Sequence, residues 1–293
     1  MTLCIAAVCG TDEVVLMSDR MISLGGKRYS PPVSKIYPLH HSAVLLYSGG
    51  VALANRIAIM ARDAIQANWS RDSEGPNALA AAEVYRQQYK LLLAREAPEY
   101  VLEGHLFTDI NDYRSQRLTL PKEYVEEIDR RLADFAFGAE SDPSVIIASV
   151  GTSGPQLCTI SGHEIVPSTH GFAVVGSTQD RAFAILEEYH SPNDSLPRVL
   201  MCAYVAKRRG ESRRSGVGPR TDIHIFGPEP GQIGELHVGS VMRQLYDQTP
   251  RGRRRVEEAI RFFEGWCLEK GTQAADSARS SPNNATTSRS DQT

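Results

Sequence analysis

The sequence has no CxxC pair, no large surplus of either charge and no long uninterrupted apolar run, and each absence removes a class of protein. Its five cysteines, Cys4, Cys9, Cys158, Cys202 and Cys267, are an odd number set mostly in apolar stretches. That is the pattern of buried small hydrophobes rather than of a disulfide or zinc framework. With 32 Lys and Arg against 35 Asp and Glu, the chain carries no electrostatic footprint for nucleic acid or an anionic membrane. No stretch approaches the roughly 18 apolar residues of a membrane span. These absences predict a reduced, cytoplasmic protein with neither a nucleic-acid nor a membrane partner. What is present is 293 residues, 41% of them apolar, enough to bury one substantial core or two small ones.

The apolar character begins at once, in MTLCIAAVCGTDEVVLMSDR. A secretory signal would set basic residues before an unbroken apolar run. Here Gly10-Thr11-Asp12 interrupts after Cys9 and the run resumes at Val14, which predicts two short strands and a tight turn. Such a strand pins the start of the chain in a sheet and holds the Thr2 hydroxyl at its beginning.

Further strands are expected at 34–39 and 43–47, followed by helical spacing through Leu53, Ile57, Met60, Ala61 and Ala64 and again through Leu79, Ala82, Tyr85, Tyr89, Leu92 and Leu93. The order then repeats. Strands are expected at 145–150, 155–160 and 172–175, helices at about 179–189 and 196–207, and a last strand at 221–226. Short turns favour antiparallel sheets, and helices gathered after each strand block cover one outer face of each sheet. The prediction is an α+β, four-layer αββα sandwich over residues 1–227, interrupted by a helical insertion at about 96–142. A helical extension at 228–270 and a disordered Ser-, Asn- and Thr-rich tail at 271–293 complete the organisation. The basic stretch from Lys207 to Arg214 is expected near the site, where it would influence which substrates approach.

Thr2 is small enough for the initiator methionine to be removed, which would leave a chain beginning with a free amine beside a hydroxyl. A threonine hydroxyl alone is a poor nucleophile, but an α-amine titrating near 7.7 to 8.0 can serve as its general base close to neutral pH. Asp19 closes the second strand in VVLMSDR, Lys35 sits in the third in PPVSKIYPL, and Gly49 ends the fourth in AVLLYSGG, where the first helix begins.

This order and spacing resemble the β-type subunits of the proteasome and the related bacterial heat-shock peptidase, members of the N-terminal nucleophile (Ntn) hydrolases. The step from Lys35 to Gly49 matches without a gap, and the one extra residue between Thr2 and Asp19 fits in the Gly10–Glu13 turn. The resemblance implies that Thr2 is the nucleophile, that Lys35 favours its alkoxide and keeps the amine unprotonated, that Asp19 holds the Lys35 ammonium, and that the Gly49 N–H stabilises the oxyanion. In VVGST it implies that Ser177 bonds near the Thr2 amine. In ESRRSGVG it assigns Ser215 a place at the site, while the Asp expected three residues earlier is Ser212, with Glu211 the only nearby carboxylate. It also implies a cleft lined by Ile22, Val33, Tyr47 and Val51, selective for uncharged side chains, with Ser23 aligning the substrate backbone. No metal or organic cofactor is implied. A peptide or protein substrate, a homo-oligomeric ring and an optional ATP-dependent unfoldase partner are. A non-catalytic ring or scaffold subunit, and an Ntn hydrolase of small amides, are the alternatives.

Overall fold

The computed structural model describes residues 2–24, 27–29, 34–70, 74–105, 107–137, 143–211, 217–218, 220–227, 233–235, 239–249 and 255–280. β1 (Leu3–Cys9) and β2 (Glu13–Asp19) form the expected hairpin, with Gly10 at φ 64° in its turn, the left-handed region that glycine enters without a Cβ penalty. A small β3 (Ile22–Leu24) and β4 (Lys27–Tyr29) ribbon follows, then β5 (Ile36–His40) and β6 (Ala43–Ser48). After helices α1 (Val51–Asn68), α2 (Ala78–Leu102), α3 (Ile110–Gln116) and α4 (Lys122–Phe137), the chain returns to strands β7 (Ser144–Gly151), β8 (Gly154–Ser161), β9 (Glu164–Pro167) and β10 (Phe172–Gly176). Helices α5 (Gln179–Tyr189) and α6 (Leu196–Gly210), strands β11 (Thr221–Phe226) and β12 (Ile233–Glu235), and helices α7 (Gly239–Gln248) and α8 (Arg255–Ser280) complete the order.

The strands form two five-stranded antiparallel sheets, β10-β1-β2-β11-β12 and β5-β6-β7-β8-β9. Period-2 alternation divides the side chains of β1 between two cores. Leu3, Ile5 and Ala7 face α5, α6, α7 and α8, while Cys4, Ala6 and Val8 face the other sheet. In β6, Leu45 and Tyr47 face α1 and α2, and Val44 and Leu46 face β1. Central strands with both faces covered read as continuous apolar runs, which is why LCIAAVC and AVLLYS show no polar residues facing water. The layers are helices, sheet, sheet, helices, as the spacing predicts.

Three boundaries differ from expectation. α2 runs unbroken to Leu102, so the predicted insertion boundary near residue 96 falls inside a helix. Beyond it, Val101, Leu102, Phe107, Tyr113 and Ile128 bury a small core of their own. Ile128→Ala should cost about 2 to 4 kcal/mol there, and hydrogen exchange should localise the loss of protection to α3, α4 and the end of α2. Met242, Tyr246, Val256, Ile260 and Phe263 of α7 and α8 join the cluster that contains α6, so these helices belong to the main core rather than to an appendage. α8 also continues to Ser280, past the composition shift that predicts loss of order; residues 281–293 lie outside the described residues. Among the described residues no helix is long and apolar enough to cross a membrane.

Candidate functional site

Thr2 immediately precedes β1, held between the carboxyl end of β2 and the loop before β5. It is 4% exposed. Its carbonyl accepts from the Ser177 N–H at 3.1 Å and from the Ser48 hydroxyl at 3.4 Å, so the residue is anchored by both sheets. Its hydroxyl Oγ1 accepts from Lys35 Nζ at 2.6 Å.

Lys35 does not lie within the third long strand; it is the residue just before β5 begins. It is 1% exposed, and its ammonium donates to three acceptors: Thr2 Oγ1, Asp19 Oδ1 at 3.1 Å and the Met21 carbonyl at 2.5 Å. An ammonium has three N–H bonds, so every one is committed and its direction toward Thr2 is determined. Asp19, at the end of β2, is equally committed. Oδ1 accepts from Lys35 and from the Leu3 N–H at 3.0 Å. Oδ2 accepts from the N–H groups of Met21 and Gly218, both at 3.0 Å. A buried carboxylate is tolerated when its lone pairs are met in this way. Both partners of the ion pair are out of water, at 1% and 0% exposure.

Gly49 stands two residues before α1 rather than at its first turn, with φ 105°. α1 opens at Val51, its N-cap is Gly50, and neither a capping side chain nor an acidic residue occupies its first turn. The positive end of that helix is therefore left without a side-chain counter-charge, beside the strand end that carries Ser48.

The expected cleft residues divide. Tyr47 is buried in the cluster under α1 and α2, and burial raises its hydroxyl pKa to about 12. Its ring is part of that core. Val51, the first residue of α1, is half-buried and packs on the same cluster. Ile22 and Ser23 lie on β3, opposite Tyr29 and Arg28, with their side chains outside the described residues, as is Val33. Ser215 and Ser212 also lie outside the described residues. Glu211 does not face Thr2: its carboxylate accepts from Lys207 and Arg208 at the end of α6. Cys4, the next side chain after Thr2 on the inter-sheet face, donates from Sγ to the Tyr47 carbonyl at 3.2 Å. Burial pushes its pKa far up, which keeps it a thiol.

Three neighbours of this group were not singled out by spacing. Gly176, with φ 126°, lets β10 pass so close to Thr2 that a Cβ there would lie 2.8 Å from the Thr2 carbonyl carbon and nearer still to its oxygen. Gly218 brings its N–H to Asp19, and a Cβ there would stand 2.9 Å from Met21 Cβ. Lys207, expected at the start of a basic stretch near the site, is fully buried on α6. The signal for it was present: Lys207 falls four residues after Ala203 on the apolar stripe of α6, where a charged residue facing solvent does not belong.

Among the described residues no cluster of His, Cys, Asp or Glu has the geometry to hold a metal ion. Residues 2–114 match the profile of the proteasome subunit family. The matched stretch contains Thr2, Asp19, Lys35 and Gly49, so this part of the chain is similar to proteasome subunits. The two antiparallel sheets between helices are consistent with the sandwich of that family. A search of curated proteins gave no significant match.

Proposed function

We propose that the protein is a threonine-type amide hydrolase, a proteasome-like peptidase whose nucleophile is Thr2 once Met1 has been removed. The observation that carries this reading is the 2.6 Å approach of Lys35 Nζ to Thr2 Oγ1 inside a group with no spare donors on the lysine. A scaffold subunit has no use for a buried ammonium aimed at the hydroxyl of its second residue, because a desolvated ion pair contributes little net stability.

In this reading the Thr2 amine takes the hydroxyl proton as Oγ1 attacks the substrate carbonyl. Lys35 stabilises the developing alkoxide electrostatically. The oxyanion settles against the Gly49 N–H and the uncapped positive end of α1. Collapse of the tetrahedral intermediate expels the amine product, which receives the proton held by the Thr2 amine, and leaves an ester on Oγ1. Water, deprotonated by the same amine, then releases the acyl group. Asp19 touches no reacting atom; it orients Lys35 and, through the Leu3 N–H, the backbone next to the nucleophile. With this reading go a peptide or protein substrate, a homo-oligomeric ring and a cytoplasmic location.

Intact-mass measurement of protein tagged only at its C terminus should show loss of Met1. Exposure to a peptide epoxyketone, which reacts with hydroxyl and amine together, should then add one inhibitor mass at Thr2, with Thr2→Ala as the unlabelled control. Quantitative retention of Met1 on folded protein would refute the proposal.

A further inference from the structure

A second buried lysine lies behind the first. Lys207 Nζ on α6 donates to the Gly218 carbonyl at 2.7 Å and to the Glu211 carboxylate. The N–H of the same Gly218 donates to Asp19 Oδ2 at 3.0 Å. Gly218 is therefore clamped on both sides, its carbonyl by Lys207 and its N–H by Asp19. Four buried or nearly buried charges follow in alternation, Glu211, Lys207, Asp19 and Lys35, and the Thr2 hydroxyl stands at their end.

Burial of a lysine is costly, and at this place on α6 an apolar side chain would fill the space without a desolvation penalty. Desolvation holds the Lys207 ammonium below its ordinary range, opposed chiefly by Glu211 and also by Asp19. The charge is thus retained against its own cost, beside the carboxylate that orients the nucleophile's partner.

We infer that Lys207 is a positioning residue for the Thr2 site: it holds Gly218 against Asp19 Oδ2, so that Oδ1 stays turned to Lys35 and Leu3, and it balances the charge of the buried group. The inference deepens the proposed hydrolase reading, on whose site it rests. The charged groups that face this assembly are Asp19 and Arg20 from β2 and the segment after it, Asp222 of β11 paired with Arg20, Glu211 and Arg208 from the end of α6, and Asp247 of α7, which meets Arg208 at 3.5 Å. Of these, only Glu211 bonds Lys207 directly.

Two full-length variants test it. Lys207→Met keeps the length of the side chain and removes the ammonium; Glu211→Gln keeps a hydrogen-bond acceptor and removes the anion. By hydrogen exchange, the Gly218 amide should lose at least about tenfold in protection in Lys207→Met while the α6 amides keep theirs. In peptide hydrolysis, the acid limb of the kcat/KM profile reports the group that must lose a proton. Loss of a nearby cation favours protonation of the remaining bases, so this limb should move up by about one pH unit in Lys207→Met. Loss of the anion should move it down in Glu211→Gln. A purely structural lysine would lower the rate equally at every pH and leave the midpoint in place. Unchanged Gly218 protection, or limbs that stay put or move in the same direction, would overturn the inference. Should Lys207→Met fail to fold, the absence of a downward shift in Glu211→Gln overturns it alone. If wild-type protein hydrolyses no peptide while the Gly218 amide responds as expected, the positioning role stands and the hydrolase reading falls.

Discussion

Lys35→Met should cut peptide hydrolysis by roughly 10³-fold or more, the scale of removing both the charge that stabilises an alkoxide and the group that orients it. The same change should lower stability by about 3 kcal/mol, near the bottom of the range for breaking a buried ion pair. The reason for the lower figure is visible around Asp19, which keeps three backbone N–H donors, from Leu3, Met21 and Gly218, after the lysine is gone. Lys35→Arg should not restore the rate. A planar guanidinium cannot place three donors at the angles that Thr2 Oγ1, Asp19 Oδ1 and the Met21 carbonyl demand. Initial rates on a fluorogenic peptide and urea unfolding curves measure the two effects separately. A variant with near-normal turnover and an unchanged circular dichroism spectrum would remove Lys35 from the mechanism.

Gly176→Ala should be as damaging, although position 176 bears no functional group. At φ 126° an L-side chain is strained by about 1 to 3 kcal/mol, and its Cβ would overlap the Thr2 carbonyl. Relief requires either β10 or Thr2 to move, and the Ser177 N–H that holds the Thr2 carbonyl moves with β10. We expect a loss of about 3 kcal/mol or more together with loss of epoxyketone labelling. Gly10→Ala is the matched control. It also has a positive φ, 64°, but open space where its Cβ would stand, so it should cost only about 1 to 2 kcal/mol and leave labelling intact. Thermal unfolding of the two variants side by side separates strain from collision; equal effects would show that the contact with Thr2 is immaterial.

The extent to which the structure was legible follows from what each signal measures. Period-2 and period-3.6 patterns report which face of an element is buried. They located β1, β2, β6, β10, β11, α1, α5 and α6 to within a few residues, since each of these lies against a core. β3, β4, β9 and β12 are three or four residues long, too short for a period to show. Asp19 and Lys35 were singled out by their order and spacing along the chain; Asp19 closes β2 and Lys35 immediately precedes β5. Gly176, Gly218 and Lys207 were not, because their importance lies in contacts that no local pattern shows: Gly218 meets Asp19 across 199 residues, Gly176 lies against Thr2 near the start of the chain, and Lys207 acts through Gly218. Alternation along β6 puts Tyr47 on the helix side with Leu45, opposite Val44 and Leu46.

The seam between the sheets is filled by small and medium aliphatic side chains, Ala6, Val8, Val14, Leu16, Val44, Leu46 and Ala148 among them, with the polar group of Thr2 at one end. Thr2 and Asp19 ride on one sheet and Lys35 and Ser48 on the other, so the 2.6 Å from Lys35 to Thr2 is a gap between two rigid plates. A hydrogen bond tolerates less than about 1 Å of lengthening before it is lost. The stack is therefore a gauge: a slip of one plate past the other by the width of less than one atom opens the circuit, with no residue at the site having changed its rotamer.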